Sequence, residues 1–528
     1  MNGYAASRTS LSHEEKLALI EERSLSDVES ESGRIDVENR FPTVRWAATA
    51  KSSCKGLRLS SWSSLLLRTG IFILPSFLHH RFVHKPQRTE KLHPTAYLDG
   101  MRGLAALFVF FCHYLYTAFI ISEGWGHDNA HYEVWRLPFI RLFYSGPSMV
   151  CIFFVISGYA LSLKPLKQIR SRSFEGFSKT MSSFIFRRFF RLYLPPIIST
   201  FAVLMMLRYG VYEKTRDIAN NDQFMHNVHE HHPNREETLR QQLRHWMWEM
   251  YNFVHIWSWE KFGGTTGYDV HLWTIPVEFR CSMMLFLIQL GTARLRTGVR
   301  FTCIALLMWF VLRGDHWEMV LFLSGMVIAE LDIIRRAHDP QPPPVSPQLL
   351  PLSSEKTADK TTPDATRTWK GNAFWTLLSV PALYLLSEPD NGPDNVPGWR
   401  YLGGHIPDWF SDKYRYWQMV GAVVFVVCAA RSRSWQRFFS CAPVQYFGRI
   451  SYAIYLMHGP VCHTAGFAIE RWAWGITGTE GGAYAWGFAL ASVFNVPLVI
   501  WAADIFWRAV DAPTVRFTKW WEEKLSVE

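Results

Sequence analysis

From about residue 97 onward, long apolar runs alternate with short polar ones. A helix needs about twenty mostly apolar residues to cross the roughly 30 Å hydrocarbon core of a bilayer. Ten runs approach that length: about 103–122, 145–163, 192–208, 271–290, 299–313, 317–334, 373–387, 416–430, 450–469 and 485–507. The pattern predicts an all-α fold, a polytopic membrane helix bundle with about ten transmembrane helices. An eleventh apolar stretch, Ser61–Leu78, is interrupted by Arg68 and Pro75 and followed by His79, His80 and Arg81, which suits a helix lying in the interface. The expected organisation is a disordered cytoplasmic tail over 1–60, an interfacial helix and linker over 61–96, a transmembrane domain over 97–515 and a cytoplasmic tail over 516–528. Two polar insertions interrupt the domain. Residues 209–270 form a long outer loop whose aromatic run HWMWEMYNFVHIWSW suits an interface or the roof of a cavity, and the Pro/Ser/Thr-rich stretch 338–366 reads as a disordered loop. The chain contains no evident internal repeat.

Charge fixes the expected orientation. With the N-terminus inside, the connection 164–191 carries eight basic residues and one acid, Glu175. The next inner connections carry Arg294, Arg296 and Arg300, then Arg335 and Arg336, then Arg431, Arg433, Arg437 and Arg449, whereas the outer connection 470–484 offers only Arg471. An even number of spans with both termini cytoplasmic fits this alternation. The net charge of +10 is therefore assigned to membrane topology and not to nucleic acid, because the basic residues flank apolar spans. At 49% hydrophobic and 19% charged, the 528-residue chain is too apolar for a disordered protein and poorer in charge than soluble chains. Of its eight Cys, Cys112, Cys151, Cys281, Cys303, Cys428 and Cys462 fall in apolar segments and none forms a Cys-x-x-Cys pair, so neither zinc nor a disulfide framework is expected. The first fifty residues lack the basic and apolar regions of a cleavable signal.

The first span opens YLDGMRGLAALFVFFCHY, with Asp99 placed to cap the helix. Arg102 and His113 are eleven residues apart, close to three whole turns, so one helix face carries both about 16 Å apart. A positive-inside anchor and a hydrogen-bonded helix contact would explain them structurally. Ionisable groups within a membrane point instead to function. Arg187, Arg188 and Arg191 form a basic cluster at the third span, where guanidinium forks suit phosphates or plain surface anchoring, and the i, i+4 pair Arg187 and Arg191 shares a face. Glu278 lies within the fourth span near a kink expected at Pro276, and needs a partner such as His113, Arg280 or a substrate hydroxyl. A structural ion pair is the competing reading.

Five segments in order carry a resemblance: LDGMRGLAALFVFFCHY with its Arg-x10-His spacing, FFVISGYALS at 153–162, FIFRRFFRLYLPP at 184–196, HLWTIPVEF at 271–279 and GRISYAIYLMHGP at 448–460. Together they are similar to the acyltransferase-3 family of integral-membrane acyltransferases, over about 97–515. The resemblance implies transfer of an acyl group, acetyl foremost, from an acyl-coenzyme A co-substrate to a hydroxyl on a small molecule or secondary metabolite, or on a glycan or glycolipid. It makes Arg102 and His113 the essential pair, puts the arginine cluster at the donor and points to His458 on the acceptor side. An imidazole can take the hydroxyl proton during attack on the thioester, or carry the acyl group itself. Glu278 would orient that imidazole, and Tyr193 and Trp273 would contact substrate.

No bound cofactor or metal is expected. The loop histidines His226, His229, His231 and His232 read as a solvated polar stretch, and Gly263-Gly-Thr-Thr-Gly as a flexible turn. Ser157-Gly-Tyr suits close helix packing. Asp511-Ala-Pro stands where the family usually has Glu, and the resemblance gives it no part in the chemistry. The absence of a soluble hydrolase-like segment favours a small acceptor. The alternative is a transporter or lipid flippase using the same Arg, His and Glu as a path, which paired broken helices and inverted repeats would support. Expected partners are the bilayer, acyl-coenzyme A and the acceptor, in a plasma or secretory-pathway membrane.

Overall fold

The computed structural model describes residues 69–79, 92–256, 264–335 and 365–526. The chain divides into two units, Met1–His93 and Pro94–Glu528. In the first, a helical turn over 69–73 and a 3-10 turn Ser76–Leu78 cover the end of the expected interfacial helix. The expected tail over 1–60 and nearly all of the 338–366 insertion lie outside the described residues.

In the second unit each of the ten apolar runs is helical, and no strand occurs among the described residues. The principal helices are α1 (Ala96–Leu115), α2 (Gly146–Arg170), α3 (Phe174–Arg208), α4 (Leu239–Val254), α5 (Thr274–Thr292), α6 (Thr297–Arg313), α7 (Trp317–Ile334), α8 (Ala365–Leu386), α9 (Arg415–Arg431), α10 (Ala442–Val461), α11 (Phe467–Thr477), α12 (Gly481–Phe506) and α13 (Ala512–Leu525). Among the described residues four stretches are long and apolar enough to cross a membrane: α1, α2, α3 and the continuous α12–α13 segment. The others fall short for physical reasons. Helices α6 and α9 have 17 residues each, and α7 contains Glu318, Glu330 and Asp332.

Helix ends depart from the apolar boundaries because backbone hydrogen bonding continues past the apolar centre. Helix α1 starts at Ala96, so Thr95 occupies the cap position, and Asp99 sits inside the first turn paired with Arg102 at 3.2 Å. Helix α3 runs for 35 residues, which puts the arginine cluster mid-helix instead of in a connection. Pro276 falls in the first turn of α5, where a missing N–H is tolerated. Residues 512–525, expected largely as tail, form α13, which packs Trp521 against Phe186 and Phe190 of α3.

Two close helix crossings set the positions of the site. A β-carbon added at Gly103 of α1 would stand 2.2 Å from the Gly448 nitrogen of α10, and one at Gly448 would stand 2.6 Å from the Asp99 carbonyl. Gly158 of α2 and Gly325 of α7 meet in the same way, each facing the partner's backbone at 2.1–2.2 Å. Small residues let helices touch along their backbones where a bilayer supplies no hydrophobic drive between them. In the long loop, α4 is amphipathic: Thr238 and Gln241 form a capping box, Met250 and Phe253 are buried, and Met247, Trp248 and Tyr251 are exposed.

Candidate functional site

Because α1 is continuous from Ala96 to Leu115, Arg102 and His113 lie on one face three turns apart. Each marks the centre of a separate polar cluster. At the arginine end, Arg102 donates from Nε to Ser451 Oγ at 3.2 Å, and its side chain is 37% exposed despite the Asp99 contact. Arg191 of α3 is exposed and lies among Arg102, Arg187, Arg188 and Asp511. Asp511 is the last residue of a π-helical segment, Trp507–Asp511, between α12 and α13. Such segments turn a side chain off the regular α-helical register and recur at functional sites.

The three cluster arginines have different surroundings. Arg187 pairs through Nε with Glu522 of α13 at 3.1 Å. Arg188 donates to Glu278 Oε1 at 2.7 Å and to Ser282 Oγ at 3.1 Å. Arg191 is therefore the cluster member left open beside Arg102, and the shared face of Arg187 and Arg191 does not give them a shared role. Glu278 also accepts from Ser157 Oγ at 3.0 Å. Its expected role of orienting His113 is not met: among the described residues its hydrogen-bond donors are Arg188 and Ser157. The reason lies in the helix, since Glu278 is seven residues, about 10 Å of rise, beyond His271. Nor does it use Arg280, which lies 3.9 Å from Glu318.

At the histidine end, the ring of His113 meets His271 at 4.2 Å and His458 at 5.3 Å between centroids. His113 Nδ1 and His458 Nε2 are buried with no hydrogen-bond partner among the described residues, and His458 Nδ1 lies 3.1 Å from the Ile454 carbonyl. His271 is held on both sides: Nδ1 to Asp269 Oδ1 at 2.9 Å, Nε2 to Glu230 Oε1 at 2.8 Å. The other oxygen of Glu230 meets His463 Nε2 at 2.6 Å. His463 stands on the second π-helical segment, Cys462–Gly466, and its carbonyl is satisfied by Thr215 Oγ1 at 2.7 Å. The Tyr455 hydroxyl fastens the His271 carbonyl and also meets Thr274 Oγ1 at 2.7 Å. A β-carbon at Gly459 would come within 3.0 Å of His271 Nδ1, so α10 approaches the clamp through a glycine.

Burial alone would raise the Glu230 carboxyl; the charge of His271 and the hydrogen bonds from His271 and His463 outweigh it and hold Glu230 well below the ordinary carboxylate range. His232, buried in the same loop with His463 at 5.1 Å, is pushed down to about 3 by burial first and by His463 next. The imidazoles of His113, His271 and His458 place ring nitrogens within 4.8 Å of one another, a spacing that could hold an ion. Both His271 nitrogens, however, are already engaged by carboxylates.

Among the expected substrate contacts, His458 joins the cluster. Tyr193 is buried among Phe189, Phe253 and Phe279 with its hydroxyl unpaired among the described residues. Trp273 lies under the Arg415 guanidinium at 5.4 Å, in a cage shared with Trp317 and Tyr414. Asp269, His271, Glu230 and His463 were missed. His271 was legible at the head of HLWTIPVEF, and Glu230 stands inside the histidine-rich loop that was read as solvated.

A helical protein with stretches long and apolar enough to cross a membrane, an arginine cluster at one end of a helix and a histidine cluster at the other defines a class of basic sites built along one helix face. The family follows from comparison: residues 95–507 match the acyltransferase domain of the acyltransferase-3 family, and the chain belongs to that family. It is an acyltransferase. The chain is 30% identical to the O-acetyltransferase PaAT-1 of Phomopsis amygdali over 470 residues, covering 85% of this chain and 88% of the relative. It is 25% identical to acyltransferase R4 of a Phoma species and 24% identical to acyltransferase clz18 of Cochliobolus lunatus, each alignment covering 82% of this chain and 96% of the relative. No solved structure matches.

Proposed function

We propose that the protein is a ten-span membrane O-acyltransferase that moves an acetyl group from acetyl-coenzyme A to the hydroxyl of a small molecule or secondary metabolite, or of a glycan. Both termini are cytoplasmic in this reading, and the donor enters from the arginine end. Arg102 and Arg191 hold its phosphates, with Arg188 fixed by Glu278 and Arg187 by Glu522 beside them, and the pantetheine arm runs along α1 to His113. His113 takes the proton of the acceptor hydroxyl as its oxygen attacks the thioester carbonyl. The C–O bond forms, the C–S bond breaks, and the thiolate leaves with the proton returned from His113. Acetyl as the group follows the name of the relative PaAT-1.

One observation carries the reading: an imidazole whose buried Nδ1 has no hydrogen-bond partner among the described residues shares a helix face with an arginine that lies in a basic cluster. The rise between them, about 16 Å, suits an extended pantetheine arm with phosphates at one end and thioester at the other. The test is release of free thiol from acetyl-coenzyme A by the purified protein in detergent, given pooled sugars, glycolipids and polycyclic alcohols. Acceptor-dependent release is expected. No release in any pool, together with no binding of acetyl-coenzyme A, would overturn the reading.

A further inference from the structure

An imidazole whose two nitrogens both face carboxylate oxygens at hydrogen-bond distance satisfies them by donating twice, and two N–H groups make it an imidazolium. His271 meets that condition, between Asp269 at 2.9 Å and Glu230 at 2.8 Å. It is buried, at 4% exposure, and its ring meets that of His113 edge-on with centroids 4.2 Å apart. Its backbone is pinned through the Tyr455 hydroxyl, and Gly459 admits α10 against it. A fixed cation beside a base has a definite effect: protonation of His113 would set two positive charges side by side, so the base stays neutral to lower pH.

We infer that His271 is a positioning residue of the transfer reaction, held as a permanent imidazolium by Asp269 and the loop carboxylate Glu230 so that His113 remains a free base. The inference rests on the proposed role of His113. It gives the long loop 209–270 a part in the chemistry, since Glu230 comes from the loop and links His271 to His463 on the π-helical segment. The charged and titratable groups around His113 among the described residues are His271 from the turn before α5, with Asp269 behind it, His458 from α10, Glu230 from the loop, His463 from the π-helical segment and Tyr116 at the end of α1. Of these, His271 makes the nearest ring contact with His113.

The sign can be worked out for substitutions. His271→Gln removes the cation and leaves Asp269 and Glu230 uncompensated; both changes favour protonated His113. The acid limb of the pH profile for kcat/KM should then move upward by about one pH unit or more, with kcat at neutral pH reduced about tenfold or more. His271→Lys, which restores a cation between the carboxylates, should return the acid limb towards the wild-type position. Glu230→Gln, which removes a carboxylate while Asp269 still holds the His271 cation, should leave the acid limb in place or move it downward, opposite to His271→Gln. Each variant is first checked for folding by its melting temperature in detergent.

The experiment measures thiol release from acetyl-coenzyme A across pH 5–9 for wild type, His271→Gln, His271→Lys, Glu230→Gln and His113→Ala. Loss of transfer in His113→Ala together with the ordered shifts supports the inference. Loss in His113→Ala with an unmoved acid limb in folded His271→Gln would overturn it while leaving the proposed base intact. Retained transfer in His113→Ala would overturn the reading on which it rests. Retention of one equivalent of a divalent metal by the purified protein, lost in His458→Ala, would also overturn it, because the cluster would then be a metal site.

Discussion

Glu230 meets His271 and His463 across 41 and 233 residues of sequence, and all three side chains are buried. Local polarity could not reveal such a pairing. The stretch HNVHEHH has the composition of a solvated loop, and only the fold shows that its one carboxylate points inward while His229 and His231 remain in contact with outer polar groups. Arg102 and His113 were legible because helix periodicity alone puts them on one face. Glu278 was misread for the opposite reason: a carboxylate inside a span drew attention, yet Arg188 of the neighbouring helix neutralises it locally. Two outcomes follow at this scale. Glu230→Gln removes one member of a buried charged pair and should cost about 3 kcal/mol of stability. Its folded carboxyl lies below the unfolded value, so this stability is fully present above about pH 4.3 and is lost as pH falls through the folded value. Melting curves of wild type and variant should accordingly differ by a constant amount from pH 5 to 8 and converge only in strong acid. Arg191→Ala should raise the KM for acetyl-coenzyme A about tenfold by removing charge-assisted bonds to phosphate. Arg187→Ala, whose guanidinium is taken up by Glu522, should leave that KM nearer wild type. Equal effects from both would contradict the separate roles assigned to them.

At the scale of elements, each of the ten apolar runs falls on helix, but the runs marked neither the helix ends, nor α4 and α13, nor the two π-helical segments that carry His463 and Asp511. An extra residue in a helical turn leaves no periodic trace in hydropathy, and Asp511 stayed outside the sequence-based site although it lies beside Arg191. The α1–α10 crossing is the element on which the site depends most, because α1 carries Arg102 and His113 while α10 carries Ser451, Tyr455 and His458. Gly103→Ala would push a methyl group into the Gly448 backbone, which cannot rotate away. The expected result is a loss of about 1–3 kcal/mol, read from thermal unfolding in detergent, with lower transfer activity in the folded fraction. A variant with wild-type stability and activity would show that the crossing is looser than its geometry implies.

At the scale of the whole molecule, four stretches among the described residues are long and apolar enough to cross a bilayer; of the other helices, α6 and α9 are shorter and α7 carries buried charge. Buried charge inside a bundle is consistent with spanning when each group is paired, as Arg300 is with Glu330 and Arg508 with Asp504. Ten spans with both ends on the cytoplasmic side predict that a C-terminal tag and a protease site placed within 338–366 are cleaved from the same face of sealed vesicles. The loop 209–270 should be cleaved only from the other face. Cleavage of the tag and the 338–366 site from opposite faces would contradict the even count.

The central claim is that His113 performs the transfer, and the most direct measurement is acceptor-dependent thiol release by folded His113→Ala beside wild type at saturating acetyl-coenzyme A. With His113 as the base, kcat should fall at least about a hundredfold with donor binding preserved, because the proposed phosphate site is three turns away. Release at the wild-type rate would contradict it.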